Sequence, residues 1–172
     1  MSGVFFDSSV LVPVVTEQLV NHRAAHARFA AEIKSGTSVF CGAHSLAECY
    51  AVLTALPLPQ RISGMEAVRL IEANFTRKLE IVELKKSDYL AALRMCADIG
   101  RTSGQIYDAL HLIAAKKAGC DKLYTYNLKA LRISQSRTHP DFGAPMDWRA
   151  NAGPPGGNCH SRPLQKMPIF TI

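Results

Sequence analysis

The segment VFFDSSVLV, residues Val4–Val12, contains one acidic side chain, Asp7, directly after its first three apolar residues. A short apolar run of this kind is typical of a strand that is buried on both faces of a parallel sheet. The hydroxyl residues and second apolar run after Asp7 predict a short helix that is capped by Ser8 or Ser9. Because open α/β sheets bind ligands at the carboxyl ends of their strands, Asp7 stands where a functional carboxylate is expected.

Predicted strands and helices alternate along most of the chain. Besides the first strand, the apolar pattern predicts strands over residues 37–41, 80–84 and 122–126. Helices are predicted over residues 21–34, 45–56, 63–76, 87–99, 106–118 and 127–133. Ser45 and Ser87 are the expected caps of two of these helices. The alternation indicates an α/β domain with a parallel sheet covered by helices.

The composition changes near the C-terminus. The segment NAGPPGGN, residues 151–158, excludes a regular element because proline and glycine dominate it. We therefore predict one domain over residues 1–148 and a Pro/Gly-rich C-terminal tail over residues 149–172. A length of 172 residues agrees with one domain.

Bulk composition narrows the class of protein. Hydrophobic residues make up 48% of the chain and charged residues 20%, as in ordinary soluble proteins. No apolar run is long enough for a membrane helix, and no secretory signal is recognisable, so we expect a cytoplasmic protein. The five cysteines form no CxxC pair, which favours reduced core thiols. A net charge of +6 favours polyanionic partners.

Two further acids lie in apolar surroundings like those of Asp7. Glu48 lies in SLAECYA, residues 45–51, and Asp108 lies in IYDALHL, residues 106–112. Carboxylates are rarely buried without a partner. Three of them from separate elements suggest a shared divalent ion, and Mg²⁺ or Mn²⁺ prefers such oxygen ligands. A water of lowered pKa at such an ion can attack a phosphodiester.

Each acid also has a purely structural interpretation. Asp7 could cap the helix that follows it. Glu48 could form a capping box, because it lies three residues after Ser45. Asp108 could stabilise a helix N-terminus through the helix dipole. The apolar sequence around all three acids argues against solvent-facing caps.

These segments resemble the PIN-domain ribonucleases, and most closely the VapC-type toxins of toxin–antitoxin pairs. The resemblance covers about residues 3–147, and its motifs are FFDSSVL (5–11), SLAE (45–48), YDALHLIAA (107–115) and LYTYNL (123–128). It implies a PIN-like three-layer α/β/α sandwich with a central, mainly parallel sheet of four to five strands. It further implies a divalent-metal-dependent endoribonuclease, the toxin component of a type II pair, that hydrolyses RNA with a metal-activated water.

The resemblance also assigns the site. It implies that Asp7, Glu48 and Asp108 are the catalytic acids, with Asp7 and Asp108 as ligands of Mg²⁺ or Mn²⁺. Family members commonly carry a fourth acid after the last core strand, where this chain has Asn127. An amide oxygen can ligate a metal or orient a water but adds no negative charge. The implied partners are an RNA substrate, a cognate antitoxin and a second copy of the chain.

Other polar residues are expected around these acids. Ser9 is either a neighbour of the acids or a helix cap, and Thr125 could hydrogen-bond an acid from the end of the fourth strand. Arg101 and Gln105 could contact RNA phosphates. His111, one turn after Asp108, is expected to be a packing or hydrogen-bonded histidine rather than a general base.

Two other functions compete with the nuclease. A covalent phosphoenzyme at Asp7, as in haloacid-dehalogenase-like phosphatases, normally needs a second aspartate two residues later, where this chain has Ser9. A catalytically weak or inactive PIN-like domain that binds RNA or a protein is favoured by Asn127.

Overall fold

The computed structural model describes residues 3–127 and the backbone of residues 169–171. Five strands form one sheet in the order β3-β2-β1-β4-β5. The strands are β1 Gly3–Phe6, β2 Ser38–Gly42, β3 Glu80–Val82, β4 Cys120–Tyr124 and β5 Ile169–Thr171. The first four pair in parallel, and β5 pairs antiparallel with β4. The predicted mainly parallel sheet is confirmed.

Six α-helices flank the sheet in this part of the chain. They are α1 Ser8–Val15, α2 His22–Lys34, α3 Ala43–Ala55, α4 Gly64–Ile71, α5 Lys86–Asp98 and α6 Gln105–Lys117. A π-helical turn over Glu72–Thr76 continues α4. The short α1 agrees with Pro13, which is tolerated poorly inside a helix.

The central strand β1 separates two apolar layers. Val4 and Phe6 pack into one cluster with residues of α1 to α4. Phe5 points to the other side and packs with residues of α5 and α6. Because successive strand side chains point to opposite faces, this division produces the expected α/β/α sandwich. It also explains why every residue of β1 is buried.

Three predicted helix caps are wrong. Asp7, rather than Ser8 or Ser9, caps α1. Helix α3 begins at Ala43, so Ser45 lies in its first turn and accepts a bond from the N–H of Gly42 at 3.1 Å. Helix α5 begins at Lys86, and the carboxylate of Asp88 accepts the N–H of Lys85 at 2.8 Å. At α1 and α5 a neighbouring carboxylate takes the predicted role of serine, and at α3 Ser45 acts from inside the first turn.

Some predictions fall outside the described residues. These include the helix over residues 127–133 beyond Asn127, and most of the predicted tail over residues 149–172. The described end of that tail is β5, which extends the sheet beside β4. Cys41, Cys49, Cys96 and Cys120 are buried free thiols, as expected for these four. Among the described residues, no helix combines the length and apolar character that crossing a membrane requires.

Leu53 provides a test of the larger apolar cluster. Its side chain is fully buried, whereas Leu93 on α5 is 54% exposed. We expect Leu53→Ala to lower the free energy of unfolding by about 2–5 kcal/mol, because it removes buried apolar contacts and leaves a cavity. The same change at Leu93 should cost well under half as much. Urea denaturation measures both, and equal losses would contradict the assigned core.

Candidate functional site

Asp7 is held at the carboxyl end of β1 with its side chain only 3% exposed. Its Oδ1 atom accepts hydrogen bonds from the N–H of Val10 at 3.3 Å and from the hydroxyl of Ser9 at 2.6 Å. Asp7 therefore caps α1, as the structural interpretation predicted. The cap uses only Oδ1, and the carboxylate remains buried at the carboxyl edge of the sheet.

Glu48 projects from α3 and is held by two other helices. Its Oε2 atom accepts hydrogen bonds from Ser8 of α1 and from Nε2 of His111 of α6, the latter at 3.1 Å. Its Oε1 atom is buried and accepts no hydrogen bond from the described residues. The capping-box interpretation of Glu48 is wrong, because Ser45 rather than Glu48 satisfies the start of α3.

Asp108 lies in the first turn of α6 and is 6% exposed. The side-chain amide of Asn127 donates to both of its oxygens, at 2.8 and 3.0 Å. A position at the start of a helix agrees with the dipole interpretation. The contact with Asn127 adds a feature that helix capping does not explain, because it joins α6 to the segment after β4.

Burial and mutual repulsion govern the charge of Asp108. Burial raises the pKa of its carboxyl to about 6, and the charges of Asp7 and Glu48 act in the same direction. His111 and the amide of Asn127 oppose this shift. The three acids are thus close enough to influence one another, as the sequence predicted.

Glu48 and His111 form a hydrogen-bonded pair within this group. Burial opposes ionisation of Glu48, but the hydrogen bond and charge of His111 and the bond from Ser8 outweigh it, so the pKa of Glu48 is lowered. Burial disfavours the charged form of His111 as well. Its bond to Glu48 and the charges of Asp7, Glu48 and Asp108 prevail and raise the pKa of His111.

His44 lies at the other ring nitrogen of His111, away from Glu48. Its Nε2 atom lies 3.0 Å from Nδ1 of His111. Burial, together with the charge of His111, lowers the pKa of His44 to about 4. The sequence predicts Ser8 only as a helix cap. The need of Glu48 for hydrogen-bond donors is the sequence signal for the contact of Ser8, whereas the sequence offers no signal for the contact of His44.

Ser9 and Thr125 connect the ends of the two central strands. The hydroxyl of Ser9 donates to Asp7 and accepts the N–H of Tyr126 at 2.8 Å. Ser9 is therefore a neighbour of the acids rather than a cap. The hydroxyl of Thr125 lies 3.4 Å from that of Ser9 and accepts the N–H of Asn127 at 2.9 Å. Among the described residues Thr125 thus forms no hydrogen bond to a carboxylate, contrary to expectation.

The residues expected to contact RNA are Arg101, in the loop before α6, and Gln105, the first residue of α6. Arg101 donates from Nη1 to Oε1 of Gln105 at 2.8 Å. Ser103, between them, has a φ of 56°, a left-handed conformation that is uncommon for residues other than glycine. Gln105 belongs to the first turn of α6, which also carries Asp108.

The donor set suits a hard divalent cation. In the described part of the chain, no three His, Cys, Asp or Glu side chains stand together as a ready metal-binding group. Mg²⁺ needs fewer, because it usually binds one or two carboxylates and keeps several waters. Asp7 and Asp108 offer oxygen ligands, and the unpartnered buried Oε1 of Glu48 offers an acceptor for a ligand. These residues therefore fit Mg²⁺ or Mn²⁺.

Comparison with known proteins identifies the family of the chain. The sequence model of the PIN domain family matches residues 4–135. Ribonuclease VapC27 of Mycobacterium tuberculosis (strain ATCC 25618 / H37Rv) is 37% identical over 109 residues, which cover 63% of this chain and 74% of that protein. Ribonuclease VapC40 of Mycobacterium tuberculosis (strain CDC 1551 / Oshkosh) is 34% identical over 125 residues, which cover 73% and 87%.

Solved structures share the fold at low sequence identity. VapC20 of Mycobacterium tuberculosis, a sarcin–ricin loop cleaving toxin, aligns with a TM-score of 0.63 and 15% identity, covering 76% of this chain and 94% of that one. VapBC2 of Rickettsia felis, bound to a DNA fragment from its promoter, aligns with a TM-score of 0.56 and 16% identity, covering 76% and 92%. The match over residues 4–135, on a sheet that carries the acids at its carboxyl edge, shows that the chain belongs to the PIN domain family.

Proposed function

We propose that the chain is a divalent-metal-dependent endoribonuclease and the toxin of a type II toxin–antitoxin pair. The observation that carries the proposal is a group of three carboxylates within electrostatic reach of one another: Asp7 and Asp108, which are buried, and Glu48, whose side chain is 15% exposed. A group of this kind repels itself unless protons or cations neutralise it. The names of the relatives VapC27 and VapC40, both ribonucleases, support the same activity.

In this proposal the three acids have different roles. Asp7 and Asp108 hold Mg²⁺ or Mn²⁺, and Glu48 completes the catalytic set. When bound, the ion supplies positive charge for the phosphodiester and lowers the pKa of a water. The chain itself holds its carboxylates in fixed orientations through Ser9, Ser8 and His111.

Residues around the acids have supporting roles in the proposal. Asn127 occupies the fourth corner, where it orients Asp108. Ser9 and Thr125 tie that corner to Asp7 by linking the ends of β1 and β4. Arg101 and Gln105 are the side chains that we propose for contacts with RNA phosphates, since phosphate recognition relies on such groups.

A second function has one specific observation in its favour. The amide of Asn127 donates to both oxygens of Asp108, so it occupies the acceptors that a metal ion would use. A chain that held this contact permanently would bind RNA or a protein through the same surface without cutting. Cleavage assays distinguish the two functions.

The proposed partners are RNA, a cognate antitoxin and a second copy of the chain. The net charge of +6 favours RNA, and an acidic pocket in a basic protein suits an arginine from an antitoxin. Exposed apolar side chains on α3 and α4 supply surface for protein partners; they are Tyr50, Val52, Met65 and Val68. The cytoplasm is the compartment where such a toxin would meet RNA.

Removal of one acid tests the nuclease. We expect the purified chain to cleave structured RNA with Mn²⁺ or Mg²⁺, and Asp7→Asn or Asp108→Asn to lower the rate at least about 100-fold. Asp121→Asn, the same change at an exposed carboxylate at the start of β4, should leave the rate unchanged. Gel analysis of cleavage products measures all four proteins. Equal cleavage by wild type and both site variants would refute the site, and absence of cleavage and metal binding would favour the binding function.

Restoring a fourth acid tests the role of Asn127. We expect Asn127→Asp to lower the melting temperature in EDTA, because it replaces two donated hydrogen bonds with a carboxylate that repels Asp108. Millimolar Mn²⁺ should raise the melting temperature of this variant more than that of wild type, because the cation then neutralises an added charge. An identical response of the two proteins to Mn²⁺ would show that residue 127 lies outside the ion's reach.

The raised pKa of Asp108 predicts how metal-free stability depends on pH. A carboxyl with a folded pKa of about 6 binds its proton more tightly in the folded chain than in the unfolded chain. Its ionisation therefore costs stability as pH rises from its ordinary value near 4 through about 6. In EDTA, the stability of Asp108→Asn relative to wild type should rise across this window, by up to about 3 kcal/mol. Urea denaturation at pH 4 to 7.5 measures this difference, and a constant difference would contradict the assigned shift.

A further inference from the structure

The two oxygens of Glu48 are in different states. Oε2 accepts hydrogen bonds from Ser8 and His111, which belong to different helices. Oε1 is buried and accepts no hydrogen bond from the described residues. The Glu48 side chain as a whole is only 15% exposed. A buried carboxylate oxygen without a donor is costly, and such an atom calls for an explanation through function. The carboxylate is therefore anchored by Oε2, and Oε1 is left without a donor from the described residues.

His111 has no access to a substrate. Its residue is 3% exposed, and its ring lies between those of Phe5 and His44, at centroid distances of 6.1 and 4.6 Å. Both ring nitrogens are engaged, Nε2 with Glu48 and Nδ1 with His44 at 3.0 Å, with the hydroxyl of Ser45 at 3.4 Å. Any effect of His111 on RNA must therefore pass through Glu48.

The neighbours of His111 determine which nitrogen carries its proton. The carboxylate oxygen Oε2 is an acceptor, so the bond to Glu48 requires a proton on Nε2 of His111. If His111 is neutral, its Nδ1 accepts from Nε2–H of His44. If His111 is charged, Nδ1 donates to a neutral His44. In both states Nε2 donates to Glu48, so the orientation of the carboxylate does not depend on the protonation of His111.

We propose that His111 is a positioning residue for Glu48: together with Ser8 it fixes Oε2, so that Oε1 is left as the oxygen that can contact the cation or one of its waters. His44 holds His111 from the opposite side. Partners of this kind, one shell removed from the reacting groups, are a common means of orienting carboxylates. The kinetic consequence rests on the proposed nuclease function, whereas the hydrogen-bonded arrangement does not.

Kinetics of three variants test the positioning role. We expect His111→Leu to lower kcat for RNA cleavage by about 10- to 100-fold with little change in KM, as removal of an orienting partner does elsewhere. His111→Gln should recover most of the activity, because its amide nitrogen can stand in for Nε2 as the donor. Ser8→Ala should also lower kcat, as His111→Leu does. Because Ser8 is only half-buried, this change leaves the core intact.

Ile113→Ala is the control for a merely structural effect. Ile113 is a buried residue of α6 in the same apolar cluster as Phe5, and no hydrogen bond links it to the acids. Its truncation should lower the melting temperature, yet kcat measured well below that temperature should not change. Equal kcat for His111→Leu and wild type, or equal losses of kcat in His111→Leu, His111→Gln and Ile113→Ala, would overturn the positioning role.

Long-range ¹H–¹⁵N NMR of the metal-free protein tests the contact without activity. The expected spectrum shows a protonated Nε2 for His111, and its resonance moves in Glu48→Gln and in Ser8→Ala. A bare Nε2 on His111 would overturn the proposal. Failure of the wild type to cut RNA, or cleavage that survives Asp7→Asn, would count against the proposed function, while the NMR result would still decide the contact.

Discussion

Burial of negative charge at the carboxyl edge of the sheet is the constraint on which the rest of this structure depends. Asp7, Glu48 and Asp108 are close enough for Asp7 and Glu48 to contribute to the raised pKa of Asp108. Each acid is stabilised by hydrogen-bond donors from neighbouring elements. Ser9 donates to Asp7, and Asn127 donates to Asp108. Glu48 accepts from both Ser8 and His111. Without such donors a buried carboxylate takes up a proton or destabilises the fold. The polar network therefore follows from the position of the acids.

The sheet explains how these groups come together. Strands β1 and β4 are parallel neighbours, so Asp7 and the segment of Thr125 and Asn127 leave the sheet at the same edge. Helices α3 and α6 pack on opposite sides of the sheet, and Glu48 and His111 meet at that edge. The result is one cluster of three carboxylates from parts of the chain that are up to about a hundred residues apart.

The sequence predicted the order of elements well, because an apolar β1 and glycines such as Gly36, Gly100 and Gly119 signal strands and helix ends locally. It also predicted that Asp7, Glu48 and Asp108 converge. It misplaced the caps of α1, α3 and α5, because several neighbouring polar groups can satisfy the same helix N–H groups. It missed the contact of His44 with His111, because these residues are 67 positions apart and meet only through tertiary packing.

Anomalous diffraction from crystals soaked in Mn²⁺ tests the central claim, that the buried carboxylates form one cation site, most directly. The account predicts one strong manganese peak at about 2.0–2.3 Å from oxygens of Asp7 and Asp108, on the side of Glu48 that carries Oε1. The same soak of Asp7→Asn crystals should lose that peak. A manganese peak only at other surfaces, or none at millimolar Mn²⁺, would contradict the account.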